Sequence, residues 1–593
     1  MTIESDLTTS DSPTTSGLMT KTGSPTTDLI ALPAFQGGPK LRVRWLGRVA
    51  YDDALVLQRR LQNHSSENYL LLMQHPHIVT IGRRGSSDHI LTDVEGLGAR
   101  IIETDRGGEV TYHGPGQLVG YPILTLPGKR GGGMTDTAAY VASLEQLLVD
   151  VLSELGLIAG RFRCQTGVWI DPESANPRKI AAIGVRLARA RSMHGFAFNV
   201  DCDLEWFNKI VPCGNADTAN TSLAAEGVDV SIQEVVDLLV SHAGQLWGEG
   251  GIVDRTGVVY GTDRLDFTRL QTISDQPDSG GGVSPRLLGR LVQAGVDSVN
   301  AVPYQTRKPD WVKVKLNTGT DYRRLRSTMR DLRLTTVCEE AGCPNIYECW
   351  NDGTATFMIL GERCTRSCGF CLVDTRRPEL PDRNEPERVA EAAARMKLAY
   401  VVVTMVARDD LADGGAELVA ETVAAVRRRL PTARVETLIS DLGGDPDALQ
   451  VVFDAKPDVL NHNIETVARL QRAIRPSAGY TRSLAVLCRA KSSGLTTKSS
   501  IIVGMGETHT EIVQTLADLN AVGTDIVTIG QYLRPSVRHV PVTQWWEPAD
   551  FTYWKEIGES MGIGHVEASP LTRSSYHASQ AAEAVKDVEL KKI

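Results

Sequence analysis

At 593 residues, and with roughly 100 to 200 residues per domain, the chain is too long for one domain and reads as two to four. Its 63 basic against 72 acidic side chains leave a net charge of −9, which argues against a nucleic-acid binder built on a basic domain. The 42% hydrophobic and 23% charged composition excludes wholesale disorder.

Residues 1–37 are dominated by Ser, Thr, Gly and Pro and read as a disordered tail. They show neither an apolar signal core nor an Arg-rich transit pattern, and no apolar run in the chain approaches the ~18 residues of a membrane span. The expectation is a cytoplasmic protein that engages no membrane. Residues 38–270 alternate short apolar runs (69–73, 78–81, 179–186, 195–200) with one clear helix. In it Leu144, Leu147, Leu148, Val151, Leu152 and Leu155 recur at helical spacing, and Gly156 stops it. This is a mixed α/β domain. Residues 271–285, with glycines at 280, 281 and 282, have linker composition. Over 286–593 six β-rich runs (356–360, 400–405, 434–439, 459–464, 499–505, 526–532) each leave room for a helix before the next. That rhythm predicts parallel βαβ units, in a doubly wound sheet or a barrel, and in a barrel the chemistry sits on the loops after the strands.

Six of the ten cysteines fall between positions 338 and 371, which in a cytoplasmic chain reads as a metal or catalytic cluster rather than disulfides. Cys364, Cys368 and Cys371, spaced CxxxCxxC directly after the first strand, suit three irons of a 4Fe-4S cluster with the fourth iron open. A zinc site is the alternative, although zinc motifs usually offer four ligands built from closer pairs. Upstream, Cys338, Cys343 and Cys349 have a spacing that matches no ordinary zinc motif, so a second cluster is the economical reading.

The CxxxCxxC loop in a βα-repeat domain resembles the radical S-adenosylmethionine superfamily. The resemblance implies that the open iron chelates S-adenosylmethionine and that reductive cleavage yields a radical able to abstract hydrogen from an unactivated carbon. With the Cys338 triplet ahead of it, the region 305–578 is similar to the lipoyl synthase family. Arg307-Lys-Pro-Asp-Trp311, Asp409-Asp410, Gly414-Gly415, Asn461-His462-Asn463, Gly504-Met-Gly-Glu507, Gly530-Gln-Tyr-Leu-Arg534-Pro535 and Arg573-Ser574-Ser575-Tyr576 carry the likeness. It implies a C-terminal partial βα-barrel with two 4Fe-4S clusters. The auxiliary one would be held by Cys338, Cys343, Cys349 and Ser575, with Ser574 the near alternative, and consumed as sulfur donor for carbons 6 and 8 of a protein-bound octanoyl chain. Gly414, Gly415, Asn461, Asn463 and Arg534 become candidate cofactor contacts. For the last three, and for His462 and Glu507, an ordinary role as satisfied polar residues on strand-end loops stays open. An electron donor such as flavodoxin or ferredoxin is implied as partner. Cys488, in an apolar helical stretch, reads as a core thiol.

In the N-terminal half Cys213 lies between Pro212 and Gly214, a loop setting that favours a reactive thiol over packing. Lys179 opens an apolar run, and burial favours a neutral amine able to act as a base. Sequence spacing alone leaves open whether the two meet. Together with Arg106-Gly107-Gly108-Glu-Val-Thr111-Tyr112-His113-Gly114-Pro-Gly-Gln117 and Lys179-Ile-Ala-Ala-Ile183-Gly184-Val-Arg186, they make residues 42–250 very similar to the octanoyltransferases that lipoylate proteins, a family sharing the biotin and lipoate protein ligase fold. The likeness implies Cys213 as nucleophile, Lys179 as its base, and an acyl and pantetheine pocket. Arg106, Gly107, Gly108, Thr111, Tyr112, His113 and Gly114 would line the pocket, and Ile183, Gly184, His194 and Gly195 would complete its wall. The implied partners are acyl carrier protein as octanoyl donor, and the lipoyl domains of 2-oxoacid dehydrogenases and the glycine cleavage H protein as acceptors. Segment 161–191 carries seven cations (Arg161, Arg163, Arg178, Lys179, Arg186, Arg189, Arg191) against Asp171 and Glu173. It reads either as a docking patch for an acidic carrier or as a solvated face. The whole reads as a fusion of octanoyltransferase and lipoyl synthase. The rivals are a lipoate ligase-like domain joined to a different radical sulfur-inserting enzyme, and an iron–sulfur electron carrier with a carrier-binding module.

Overall fold

The computed structural model describes residues 40–128, 135–162, 165–212, 219–259, 282–298, 300–313, 320–336, 345–346 and 356–590. Cys164, Cys213, Cys338, Cys343, Cys349 and Arg163, the N-terminal tail and most of the linker lie outside the described residues. No helix among the described residues is long and apolar enough to cross a membrane.

The first half is built on a mixed sheet. In chain order its strands are β1 Leu41–Arg48, β2 Asn68–Gln74, β3 Ile78–Ile81, β4 Arg100–Glu103, β5 Val110–His113, β6 Gln117–Ile123, β7 Ala159–Phe162, β8 Gln165–Ile170, β9 Arg178–Ala188, β10 Arg191–Asn199, β11 Ala219–Asn220 and β12 Val253–Gly257. The main sheet runs β12-β1-β2-β6-β10-β9-β8-β7, with β11 beside β9, and β4-β3-β5 form a small separate sheet. Helices α1 (Tyr51–His64), α2 (Thr137–Glu154) and α3 (Ile232–Trp247) cover it. The leucine stripe of α2 is buried with Val235, Val236, Leu239 and Val240 of α3 against β1, β2 and β10. Helix α3 starts at a reciprocal cap between Ser231 and Glu234, which satisfies N–H groups no helix can pair internally.

The second half follows the strand–helix rhythm. Strands β13 Thr335–Thr336, β14 Thr356–Ile359, β15 Tyr400–Met405, β16 Arg434–Leu438, β17 Val459–Asn461, β18 Thr497–Val503, β19 Ile526–Gln531 and β20 His565–Ala568 lie in sheet order equal to chain order. All pairs are parallel except β13–β14. Between and around them come α4 (Pro285–Gln293), α5 (Thr320–Asp331), α6 (Glu385–Met396), α7 (Ala416–Arg429), α8 (Pro446–Asp454), α9 (Ala468–Ile474), α10 (Tyr480–Ser492), α11 (His509–Ala521), α12 (Pro548–Ser560) and α13 (Ala578–Leu590). Right-handed crossovers that always advance in one direction put the crossover helices on one face and roll the sheet into a partial barrel, whereas a doubly wound sheet reverses direction; α13 packs on the other face, against Tyr400, Val402 and Val459. The six strand expectations all fall on parallel strands, and β20 is added by packing alone.

The halves share a core. Leu57 of α1 belongs to the same buried cluster as Leu484, Leu487 and Cys488 of α10, so Cys488 is a packed thiol, 2% exposed. Arg44 of β1, 2% exposed, donates from Nε to Asp518 of α11 at 2.8 and 3.1 Å and from Nη1 to the Asp254 carbonyl at 2.8 Å. Tyr480 donates to Asp518 at 3.0 Å, and Arg489 of α10 to Asp53 of α1 at 2.8 Å. A charge this deep is tolerated only because every partner is present.

Candidate active sites

In the first half the chemistry centres on Lys179, at the start of β9 and 5% exposed. Its Nζ lies 5.4 Å from the Trp169 ring centre. Across the strand, Gly167 sits at φ 127°, and a Cβ there would stand 2.7 Å from Lys179 Cε and 2.5 Å from the Ala181 carbonyl. Only glycine leaves room for the lysine stem. On the other side β11 pairs with β9, placing Asn220 opposite Lys179, and the Thr221 N–H donates to the Lys179 carbonyl at 2.9 Å. The chain a few residues beyond Cys213 is thus hydrogen-bonded alongside Lys179. The sequence motif names the lysine; neither Gly167 nor Trp169 carries a signal in one dimension.

Further along β9 a slot of about 40 Å³ is lined by Arg106, Gly108, Thr111, His113, Ile183, Gly184, His194 and Gly195, together with Tyr51 and Tyr121. Eight of the eleven pocket expectations are therefore brought together. Tyr112 is not. In β5 neighbouring side chains face opposite ways, so Thr111 and His113 reach the slot while Tyr112 stacks on Trp206 at 5.2 Å and its hydroxyl shares a 2.7 Å hydrogen bond with His77 Nδ1. Gly107 and Gly114 also stand outside the slot; Gly107 instead ties the loop to β9 through its N–H on the Val185 carbonyl. Gly184 faces the loop so closely that a Cβ would lie 2.7 Å from the Gly107 carbonyl. Arg106 folds the loop, donating to the Thr80 and Glu109 carbonyls at 2.7 Å each. Burial holds His113 neutral, its pKa pushed down to about 3, and His75 behind it down to about 4. Asp105, absent from the sequence reading, accepts from His194 Nε2 at 2.9 Å. That bond, with Arg186 and Arg59 nearby, holds the carboxyl at about 2.

Most of the cations of segment 161–191 are paired or buried in the folded chain. Arg161 pairs with Glu145, Arg178 with Glu226 and Asp171, and Arg186 with Asp105, while Lys179 and Arg191 are buried. Carboxylates remote in sequence pair with three of these arginines, while Arg161 and Arg189 remain exposed.

In the second half the loop after β14 places Cys364, Cys368 and Cys371 around one cavity of about 200 Å³, which Thr404, Met405, Ser440, His462, Asn463, Glu465 and Arg475 also line. All but Arg475, which caps the end of α9, come from the C-terminal ends of strands or the loops that follow. The loop is stapled down by Arg366, whose Nη2 lies 2.6 Å from both Asp409 and Asp441. The Gly369 N–H bonds to the Ile474 carbonyl, and His539 Nε2 lies 2.9 Å from the Cys371 carbonyl. Among the described residues no three metal-binding side chains converge as one ion would require; thiolates that each take a separate iron need not converge. Three thiols on one rigid loop beside an open cavity fit an iron–sulfur cluster. Burial pushes Cys371 up to about 12 and Cys368 upward, so loading a cluster displaces protons.

Of the other expected cofactor contacts, Asn463 reaches the cavity and Asn461 does not. Asn461, fully buried in β17, donates to Glu436 at 2.9 Å, in a group with Lys498 at 3.1 Å and Tyr400 at 2.8 Å. Strand alternation turns it toward the barrel interior. Arg534 is drawn into its own loop, donating to the His539 and Val537 carbonyls. Gly414 and Gly415 lie outside the cavity, at the start of α7. Glu507 is a buried local cap on the Gly504 and Met505 N–H groups. Glu465 and Arg475 are site residues the sequence does not announce, since each is set by a turn rather than a motif. Ser574 and Ser575 sit half-buried in the turn before α13. Asn345, between Cys343 and Cys349 in the chain, donates to the Leu571 carbonyl at 2.7 Å, close in sequence to the serine turn.

A partial βα-barrel with a three-cysteine loop at the strand C-termini defines a radical S-adenosylmethionine enzyme, here carrying a second catalytic domain ahead of it. Residues 358–519 match the model of the radical SAM superfamily, 297–343 the N-terminal domain of lipoyl synthase, and 48–244 the lipoyl protein ligase A/B catalytic domain. The lipoyl synthase of Symbiobacterium thermophilum is 55% identical over 283 residues, 47% of this chain and 88% of that one. That of Bacillus cereus is 54% identical over 284 residues, 47% and 95% of the two chains. The chain belongs to the lipoyl synthase family, with a lipoyl protein ligase A/B-type domain fused in front. Among solved structures, the bipartite lipoate protein ligase of Thermoplasma acidophilum aligns at TM-score 0.30 and 17% identity, over 35% of this chain and 84% of that one. Methylornithine synthase aligns at TM-score 0.28 and 16% identity, over 39% and 65%.

Proposed function

We propose that this bifunctional enzyme of lipoate biosynthesis transfers an octanoyl group from acyl carrier protein to a lysine of a lipoyl domain, and then inserts sulfur at carbons 6 and 8 of the bound chain. The observation that supports the first step is the pairing of β11 with β9, which sets the segment following Cys213 against the buried Lys179. In this reading Cys213 Sγ attacks the thioester carbon, Lys179 takes the thiol proton and returns it to the leaving pantetheine thiolate. The acceptor lysine amine then attacks the Cys213 thioester and the thiol is restored. One thioester replaces another, so no ATP is needed, and amide formation drives the transfer.

For the second step the residues present suit two 4Fe-4S clusters and S-adenosylmethionine. Cys364, Cys368 and Cys371 would hold one cluster; Cys338, Cys343, Cys349 and Ser575 would hold the sulfur-donating one. When bound, the first cluster and S-adenosylmethionine supply a radical able to take hydrogen from an unactivated carbon. The chain's own part is to hold the loop still through Arg366, Asp409 and Asp441 and to present Asn463, Glu465 and Arg475 to the cavity. A reduced flavodoxin or ferredoxin fits as electron donor.

The test is to incubate anaerobically reconstituted protein with octanoyl-acyl carrier protein, an apo lipoyl domain, S-adenosylmethionine and reductant, and to follow the lipoyl domain by intact mass. An octanoyl adduct without ATP, later gaining two sulfurs, is the expected outcome. Absence of the adduct without ATP points to a ligase and overturns the first assignment; an adduct that never gains sulfur overturns the second. Cys213→Ser is expected to abolish transfer and to leave sulfur insertion on a pre-octanoylated domain intact.

A further inference from the structure

The three cysteines around the second-half cavity each meet an N–H donor, and one of those donors differs in kind. The Arg366 backbone N–H donates to Cys364 Sγ at 3.4 Å, and the Val373 backbone N–H bonds to Cys371. Both belong to the cysteine loop and its continuation. At Cys368 the donor is the guanidinium of Arg475, which comes from the C-terminal end of α9 and lines the same cavity.

Backbone bonds fix that meeting. The Gly369 N–H donates to the Ile474 carbonyl at 2.8 Å, which joins the residue after Cys368 to the residue before Arg475. Arg475 is 9% exposed, and its Nη1 donates to the Asn463 and Ile464 carbonyls at 3.1 and 2.9 Å, which holds the planar fork in place. The other charges around the cavity are engaged. Arg366 is held by Asp409 and Asp441 at 2.6 Å each, and Arg482 also faces Asp441 at 3.8 Å. Burial keeps His462 neutral, its pKa down at about 4. Glu465 accepts from Asn463 at 2.9 Å and faces both Arg475 and Arg573. It opposes Arg475, and at Cys368 the pull of the cation is the larger of the two.

A 4Fe-4S cluster on three thiolates is anionic and becomes more so on reduction, so hydrogen bonds to its sulfurs and a cation beside it favour the reduced form. We propose that Arg475 is a positioning residue for electron uptake: its guanidinium donates to the Cys368 sulfur and raises the reduction potential of the cluster held by Cys364, Cys368 and Cys371. The proposal rests on the reading that these three cysteines hold such a cluster.

The test uses the full chain carrying Cys338→Ala, Cys343→Ala and Cys349→Ala, reconstituted anaerobically so that one cluster reports. S-adenosylmethionine is left out, so a contact with that ligand contributes nothing. Iron and sulfide are assayed first, and the one-electron midpoint is then found by dithionite titration followed by electron paramagnetic resonance. Arg475→Gln is expected to lower the equilibrium constant for reduction about tenfold, or ~59 mV. Arg475→Lys, which keeps the charge and loses the fork, is expected to fall between. In a second measurement that needs no substitution at Arg475, arginine isotopically labelled in its guanidinium nitrogens is incorporated, and the reduced cluster is expected to show hyperfine coupling to one of them. An unchanged midpoint in the loaded Arg475→Gln chain, or no such coupling in the labelled chain, overturns the proposal and leaves the cluster standing. A chain that takes up no iron overturns the cluster reading and this proposal with it.

Discussion

His75 and His113 are buried and neutral, with pKa values near 4 and 3 against 6.5 for an exposed histidine. Between those limits the unfolded chain binds more protons than the folded one, so stability is full above pH 6.5 and falls as the pH drops toward the folded values. At about 1.4 kcal/mol per unit, each contributes on the order of 3 kcal/mol or more. The urea midpoint of the chain is expected to fall steeply between pH 7 and 5, and His75→Gln to flatten that slope. Gly167 offers a sharper test of the lysine site. Gly167→Ala places a methyl against the Lys179 stem in a backbone conformation alanine avoids, and is expected to cut octanoyl transfer by about two orders of magnitude. The expected loss corresponds to ~3 kcal/mol of misplacement, read as kcat/KM, with sulfur insertion on a pre-octanoylated domain unchanged.

The strands of the barrel carry a buried ion pair as well as apolar packing. Lys498 of β18 and Glu436 of β16 are both fully buried and 3.1 Å apart, and Tyr400 of β15 and Asn461 of β17 both donate to the same carboxylate. Four adjacent strands are tied at one level by one carboxylate. Removing the lysine alone strands a buried charge, so Lys498→Met is expected to cost about 3 to 5 kcal/mol by urea unfolding. Adding Glu436→Gln, whose amide oxygen can accept from Asn461 while its NH2 donates to the Tyr400 hydroxyl, is expected to recover much of that loss. The same group explains why Asn461 reads as a cofactor contact in the sequence and is none in space: its motif neighbour Asn463 clears the strand end, while Asn461 is still within it.

Across the whole molecule, the shared Leu57–Leu484–Leu487 core and the Arg44–Asp518 pair make the two halves mutually dependent in a way two tethered domains are not. The halves are expected to unfold in one transition, coincident by tryptophan fluorescence and circular dichroism. Asp518→Asn, which removes the one of Arg44's two carboxylate partners that comes from the second half and leaves only Asp254 of the first, is expected to separate that transition into two. Under the proposed function, octanoyl transfer and sulfur insertion occur at separate sites on a common frame, and the acylated lipoyl domain is the part that travels.

The strand–helix rhythm of the second half, the leucine helix α2, the CxxxCxxC loop and Lys179 are all legible in the chain, because each depends on short-range spacing that local backbone geometry converts directly into position. Which way a residue faces, and what neutralises it, depends on contacts distant in sequence. Strand pleating separates Tyr112 from His113. Glu145 and Glu226 neutralise arginines that look like a docking patch, and Arg44 finds Asp518 474 positions away. The common core exists only once two independently patterned halves are pressed together. Burial and charge pairing are properties of that assembled surface, and no local pattern encodes them.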